Sequence, residues 1–194
     1  QYYFTLIYGS VNIGDASTHI IFQDGIFDSS SQSISLSSSN YQYQPFENSN
    51  IYSTMSCHIM VNNSQEYIVC IYGNYDYLCV SVFDKNNNHQ KISTVTDTIG
   101  GQYFKAAVLL NEMTKSMVCG RKAETNLQCL YYDITNNTLT PVENISISGC
   151  ENQPTSIILE YFSGTQQFVA GCRSGSNQVY LSQFSKDFNF IQSI

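Results

Sequence analysis

The residues best able to do covalent chemistry in this chain are its cysteines: Cys57, Cys70, Cys79, Cys119, Cys129, Cys150 and Cys172. Cys70 and Cys79 flank one polar segment, and Cys119 and Cys129 flank a similar segment further along the chain. Cysteines that face each other on neighbouring antiparallel strands come within disulfide reach. The spacing therefore predicts the disulfides Cys70–Cys79 and Cys119–Cys129, each joining the two strands of a hairpin.

The remaining cysteines do not repeat this pattern. Cys150 is the expected partner of Cys172, which leaves Cys57 as a free thiol or bonded to a segment or subunit outside this chain. Stable disulfides are typical of secreted proteins, so the pairs predict an extracellular or cell-surface location; the alternative is a cytosolic protein with seven reduced cysteines. Because there is no Cys-x-x-Cys motif and no histidine at ligand spacing, we predict neither a metal site nor a cofactor.

Three triplets of the form Asn-x-Ser/Thr can accept N-linked glycans, and they begin at Asn62, Asn136 and Asn144. An Asn-rich chain produces such triplets by chance. Asn62 and Asn136 nevertheless fall in predicted turns, where a solvated glycan can be attached. We therefore predict a glycoprotein.

Acidic residues recur after the predicted strands, at Asp84 and Asp133 and, less regularly, at Asp24 and Asp187. Such residues can supply oxygen ligands to calcium. Asp in an Asn-rich turn also accepts hydrogen bonds from its own backbone, and we favour this structural role.

Residues for acid-base or nucleophilic catalysis do not form a recognisable set. The histidines share no Ser or Cys context, so the sequence predicts no hydrolytic triad; they are His19, His58 and His89. No carboxylate pair for glycoside hydrolysis is identifiable either. We predict that the protein is not an enzyme.

The elements that must position these residues repeat along the chain. The segment 67–95 resembles segments 116–142 and 166–194: an apolar run, a polar turn, a second run, an aromatic residue and a last alternating run. A looser copy opens the chain, with Phe22 matched to Phe83 and the first strand missing. One more apolar run precedes each later copy, and four short strands per 40 to 50 residues are typical of β-propeller blades.

The repeats predict a single all-β domain. We expect about four repeats of a four-stranded antiparallel meander, propeller-like, over residues 1–52, 53–103, 104–153 and 154–194. A β-sandwich is the alternative. Because the chain begins and ends inside strand-like patterns, we expect it to be a fragment of a larger protein.

Two segments carry the Cys-turn-Cys pattern followed by an aromatic-Asp pair: "YIVCIYGNYDYLCVSVFD" and "SMVCGRKAETNLQCLYYD". They resemble the blade repeats of extracellular and cell-surface proteins of protists with Asn- and Tyr-rich proteomes. This resemblance covers residues 57 to 194, and residues 1 to 52 loosely. It implies a non-catalytic surface module.

Composition limits the partners. With eight Lys and Arg against 15 Asp and Glu, the chain lacks the basic clusters that bind nucleic acid. It has no apolar run long enough to span a membrane, and its 15 Tyr suit a protein or sugar contact surface. We predict a non-enzymatic extracellular structural or interaction module with protein partners, such as a self-assembling filament subunit. The alternatives are a carbohydrate-binding adhesion domain and a glycan-processing propeller enzyme.

Overall fold

The computed structural model describes residues 1–12, 17–43, 55–73, 77–97, 100–108, 113–122, 126–142, 147, 149–150, 156–174 and 177–194. These residues form four antiparallel sheets and no helix, which confirms the predicted all-β repeat fold. The segment 102–117, whose Ala, Leu and Met residues favour a helix, instead contributes to two strands.

The sheets follow one another along the chain. The first contains β1 (Tyr2–Asn12), β2 (Ser17–Asp28), β3 (Ser33–Leu36) and β4 (Tyr41–Tyr43). The second contains β5 (Ser56–Asn62), β6 (Gln65–Gly73), β7 (Leu78–Asp84) and β8 (Lys91–Asp97). The third contains β9 (Gly100–Val108), β10 (Lys115–Lys122), β11 (Asn126–Asp133) and β12 (Thr138–Pro141). The fourth contains β13 (Ser156–Phe162), β14 (Gln167–Arg173), β15 (Val179–Ser185) and β16 (Phe190–Ser193).

The first sheet is narrower than the others. The second, third and fourth sheets are meanders of four side-by-side strands. In the first sheet, β1 pairs with β2 along its whole length, and β3 and β4 pair with opposite ends of β2. They therefore lie end to end along the other edge of β2, which leaves this sheet three strands wide, as the missing first strand of the first repeat predicts.

Adjacent sheets pack face to face around two apolar cores. The first core joins the first three sheets and includes Phe22, Phe83 and Tyr132. The second joins the third and fourth sheets and includes Met117 and Phe168. Alternate residues of β10 enter different cores, because successive side chains of a strand point to opposite faces.

The turn between the last two strands of a sheet reaches back to the preceding sheet. In each case a residue with positive φ makes the contact: His89 touches Phe22 of the first sheet, and Asn137 accepts a hydrogen bond from Ser93 Oγ of the second sheet. Phe188 stacks on Tyr131 of the third sheet, with ring centroids 5.8 Å apart. The first such contact places His89 beside Asp24 of the first sheet.

Candidate functional site

Three disulfides join Cys57 to Cys70, Cys119 to Cys129, and Cys150 to Cys172. The predicted Cys70–Cys79 bond is wrong, and Cys57 is not left over. In the β6–β7 register Cys70 lies opposite Ser81 and Cys79 opposite Tyr72. Cys70 and Cys79 are thus diagonal neighbours, which are roughly 7–8 Å apart and beyond disulfide reach. Cys57 lies directly opposite Cys70 on β5.

Cys79 is a buried free thiol. Burial raises the pKa of this thiol to about 12. Because the thiolate is the reactive form, Cys79 acts as a small apolar core residue and not as a nucleophile.

The three glycan acceptors lie in different settings. Asn62 is the last residue of β5 and not a turn residue; its Nδ2 donates to the Ile134 carbonyl of the third sheet across 3.5 Å. Asn136 is exposed in the β11–β12 turn, and its amide bonds to Asp133. Asn144 lies outside the described residues. Glycosylation itself stays a prediction.

Two of the recurrent acidic residues, Asp84 and Asp133, have the turn role that we favoured. Asp84 Oδ1 accepts from the Asn86 amide at 2.9 Å, and Asp133 Oδ1 accepts from the Thr135 amide at 2.8 Å. In the first sheet the equivalent residue is Asp28, not Asp24, because Phe27-Asp28 and not Phe22 matches the end of the strand. Hydrogen bonds from the Ser30 hydroxyl and amide hold the pKa of Asp28 below its usual value. Among the described residues no group of three or more acidic, His or Cys side chains can hold a metal ion.

In the fourth sheet a serine takes the place of the turn aspartate. Ser185 ends β15, and its Oγ accepts from the Asn189 amide at 3.2 Å. Asp187, which the sequence suggested for this role, lies exposed two residues further on.

Asp24 instead forms a polar site with His89 between the first and second sheets. His89 Nε2 donates to Asp24, 3.0 Å from Oδ1 and 3.2 Å from Oδ2, and Thr5 Oγ1 donates to Oδ1 at 2.7 Å. The His89 ring is buried and stacks on Phe22. Its Nδ1 is buried and has no hydrogen-bond partner among the described atoms.

A groove opens beside this pair, with a volume of about 480 Å³. One wall belongs to the first sheet and the other to the β7–β8 turn; the lining includes Tyr3, Thr5, Ile7, Asp24, Ile59, Ile68, Lys85, Asn86 and His89. A second depression of about 370 Å³ shares Tyr3 and Asp24 and continues to Ser35 and Ser37.

Sequence reasoning considered Asp24 and His89 separately and missed their contact. The two residues are 65 positions apart, so no motif spacing joins them. One signal was present: six residues separate Asp84 from Lys91, whereas four separate Asp133 from Thr138. The longer turn carries His89 to the neighbouring sheet.

The first sheet also has an unusual outer face, on the side away from the second sheet. Register and alternation place no Asp, Glu, Lys or Arg on it; the described side chains there are Tyr2, Phe4, Leu6, Tyr8, His19, Ile21, Gln23, Phe27, Ile34, Leu36 and Gln42. The Phe4 ring lies over Gly25, where a Cβ would come within 2.5 Å of Phe4 Cζ. Glycine is therefore required at this position for the aromatic layer to form.

No protein-family model matches this sequence, and no curated protein matches it. Among solved structures, a candidate 6-phosphogluconolactonase from Bacteroides fragilis superposes with a TM-score of 0.54 at 12% identity, over 98% of this chain and 54% of that one. That likeness supports a propeller-like arrangement of the four sheets. It concerns the fold alone.

Two further structures resemble this chain less closely. The subtype N10 neuraminidase-like protein of A/little yellow-shouldered bat/Guatemala has a TM-score of 0.45 at 11% identity, over 98% of this chain and 58% of its own. TolB from Acinetobacter baumannii has a TM-score of 0.35 at 14% identity, over 96% and 50%. The chain thus spans about half the length of these structures. Within the described part of the chain, no helix is long and apolar enough to cross a membrane.

Proposed function

We propose that this chain is a non-enzymatic extracellular interaction module, and that a second copy pairs with it along the edge of β1. The three disulfides support an oxidising compartment. The observation that carries the contact is the edge strand itself. β1 is 11 residues long, contains neither a charged residue nor a proline, and has no strand on its other side among the described residues.

The last strands of the second, third and fourth sheets carry features that normally prevent edge-to-edge pairing. β8 contains Lys91 and Asp97, β12 ends at Pro141, and β16 has only four residues. β1 lacks these features, so its free backbone groups are open to strand addition.

The charge of the chain favours a second copy as the occupant. A net charge of −7 makes two copies repel each other, so a self-contact is best placed where charge is absent. β1 and the outer face of the first sheet meet that condition. Antiparallel pairing of β1 with β1 of a second copy satisfies both edges in one two-fold contact. A filament requires a further, different contact, since an isologous pair closes on itself.

The groove supports the non-enzymatic part of the proposal. Glycoside hydrolysis in its usual form needs two carboxyl groups on either side of the bond. Among the described residues that line the groove, Asp24 alone carries a carboxylate.

The test is the mass of the protein in solution, measured by light scattering without reductant over a dilution series. We expect a dimer that Leu6→Lys converts to a monomer. Ile191→Lys on β16 is the matched control, because the 43% exposure of Ile191 is close to the 42% of Leu6, and this variant should stay dimeric. Hydrogen exchange should show slowed β1 amides in the dimer only. A wild-type monomer at every concentration, or a dimer unaffected by Leu6→Lys, would refute the proposal.

A further inference from the structure

The groove between the first and second sheets has the size and shape of a ligand site. Its main part and the adjoining depression measure about 480 and 370 Å³ and share Tyr3 and Asp24. Pockets for small ligands have volumes of roughly 300–1,000 Å³. The lining of the main part includes the apolar side chains of Ile7, Ile59 and Ile68. From its geometry and chemistry we infer that this groove binds a neutral saccharide.

Asp24 is held in place as a hydrogen-bond acceptor for such a ligand. Thr5 and His89 both donate to its carboxylate and fix its orientation. His89 is itself held by burial, with only 5% of its surface exposed, and by the Phe22 ring. Yet 61% of the Asp24 side chain is open to solvent. A carboxylate has about four acceptor positions, so Asp24 keeps capacity for ligand hydroxyl groups.

The charges around the groove favour a neutral ligand. The Lys85 ammonium group and the Asp24 carboxylate line the same groove with opposite signs, and Lys85 also pairs with Glu66. A cationic ligand would be repelled by Lys85, and an anionic ligand would be repelled by Asp24. The Asn86 amide can both donate and accept, which suits hydroxyl groups.

Tyr3 supplies an aromatic ring to the groove. Its side chain is 78% exposed and lines both depressions. An exposed aromatic ring offers an apolar surface to the C–H groups of a sugar, while its hydroxyl stays in water. Two depressions that share Tyr3 and Asp24 in their lining suit a ligand of more than one sugar unit. Free oligosaccharides and protein-linked glycans share this chemistry.

Two measurements test the site: an array of neutral and anionic glycans, and saturation-transfer NMR with free cellobiose, maltose and N-acetyllactosamine. We expect binding of at least one neutral glycan, at least about tenfold weaker in Asp24→Asn and in Tyr3→Ala, because each loses a direct contact. Asp187→Asn, which changes an exposed carboxylate on the fourth sheet, is the control and should bind as the wild type does. Binding on the array together with NMR signals indicates free sugars; binding on the array alone indicates linked glycans.

Binding of no neutral glycan, binding of anionic glycans only, or binding unchanged in both variants would overturn the inference. Thermal unfolding shows that each variant is folded. Asp24→Asn changes no residue of β1, so the mass of this variant in solution separates a loss of sugar binding from a loss of self-association. The saccharide site and the β1 contact can therefore fail independently.

Discussion

The first and fourth sheets are built from the same unit, but among the described residues only the fourth carries Asp, Glu, Lys or Arg side chains on its outer face. On the fourth sheet a ladder of glutamines crosses three strands: Gln192 donates to Gln183 at 2.8 Å, and Gln183 donates to Gln167 at 2.7 Å. Exposed Glu160 and Arg173 lie on the same face. The outer face of the first sheet carries mostly aromatic and aliphatic side chains and no Asp, Glu, Lys or Arg. The repeat fixes the fold, and the outward-pointing residues differ from one repeat to the next.

The two end sheets also differ in how they are attached. The Cys150–Cys172 disulfide ties the fourth sheet covalently to the segment before β13. The first sheet precedes the first cysteine of the chain, so packing and hydrogen bonds alone hold it. Breaking each attachment separately tests this difference.

The largest effect is expected for Phe22→Ala. Phe22 is buried, and its ring centroid lies 4.6 Å from that of Phe83 and 5.1 Å from that of His89. Removing such a ring costs about 3–5 kcal/mol. Hydrogen exchange should show the first sheet losing protection before the rest. Phe168→Ala in the fourth sheet is the matched control. If the amides of the fourth sheet lose protection equally early in both variants, the first sheet is not the more weakly attached of the two.

A somewhat smaller effect is expected when the fourth sheet loses its covalent link. The double variant Cys150→Ala/Cys172→Ala opens a loop with a sequence separation of 22. A disulfide closing a loop of this size contributes about 3 kcal/mol, mainly by restricting the unfolded chain. Urea unfolding measures the loss, and Cys119→Ala/Cys129→Ala gives the matching value for the third sheet. Unchanged protection of the fourth sheet would show that its attachment rests on packing as well.

Local sequence patterns were sufficient to predict the sheets but not the contacts between the sheets. Strand alternation and the recurrence of Cys and aromatic-Asp pairs predicted four meanders and the narrow first sheet. Disulfide pairing depends on register, which the turn sets: residues 74–77 separate Gly73 from its partner Leu78, and this places Cys79 opposite Tyr72. Counting residues between cysteines cannot supply that register.

The site was harder to predict for a related reason. Asp24 and His89 belong to different sheets, and their meeting depends on the length and left-handed backbone of the β7–β8 turn, where Asn88 and His89 both have positive φ. Positive φ is uncommon for residues other than glycine, and no sequence pattern predicted it at these two positions. Tertiary packing, not local preference, brings the carboxylate and the imidazole together.

Acid should lower the stability of the second sheet. It should not change the difference in attachment between the first and fourth sheets. Burial lowers the pKa of His58 on β5 to about 4, from 6.5 in the unfolded chain. Between these values the unfolded chain binds the proton more readily, so stability falls as pH drops from 6.5 towards 4. The contribution of His58 is on the order of 3 kcal/mol. Urea unfolding at pH 7 and pH 4 measures it, and His58→Phe should reduce the loss; an unchanged loss would exclude His58 as its source.

The smallest effect on stability is expected for Gln183→Leu, which removes the centre of the glutamine ladder. Water can replace both of its hydrogen bonds at this surface, so the free energy of unfolding should change by less than about 1 kcal/mol. The informative measurement is the mass in solution. If the outer face alone drives association, Gln183→Leu should make the fourth sheet associate with a second copy, as we propose for the first sheet. We expect no new association, because Glu160 and Arg173 remain and the fourth sheet has its full set of strands. A larger particle would mean that apolar area, and not the open edge of β1, distinguishes the two ends.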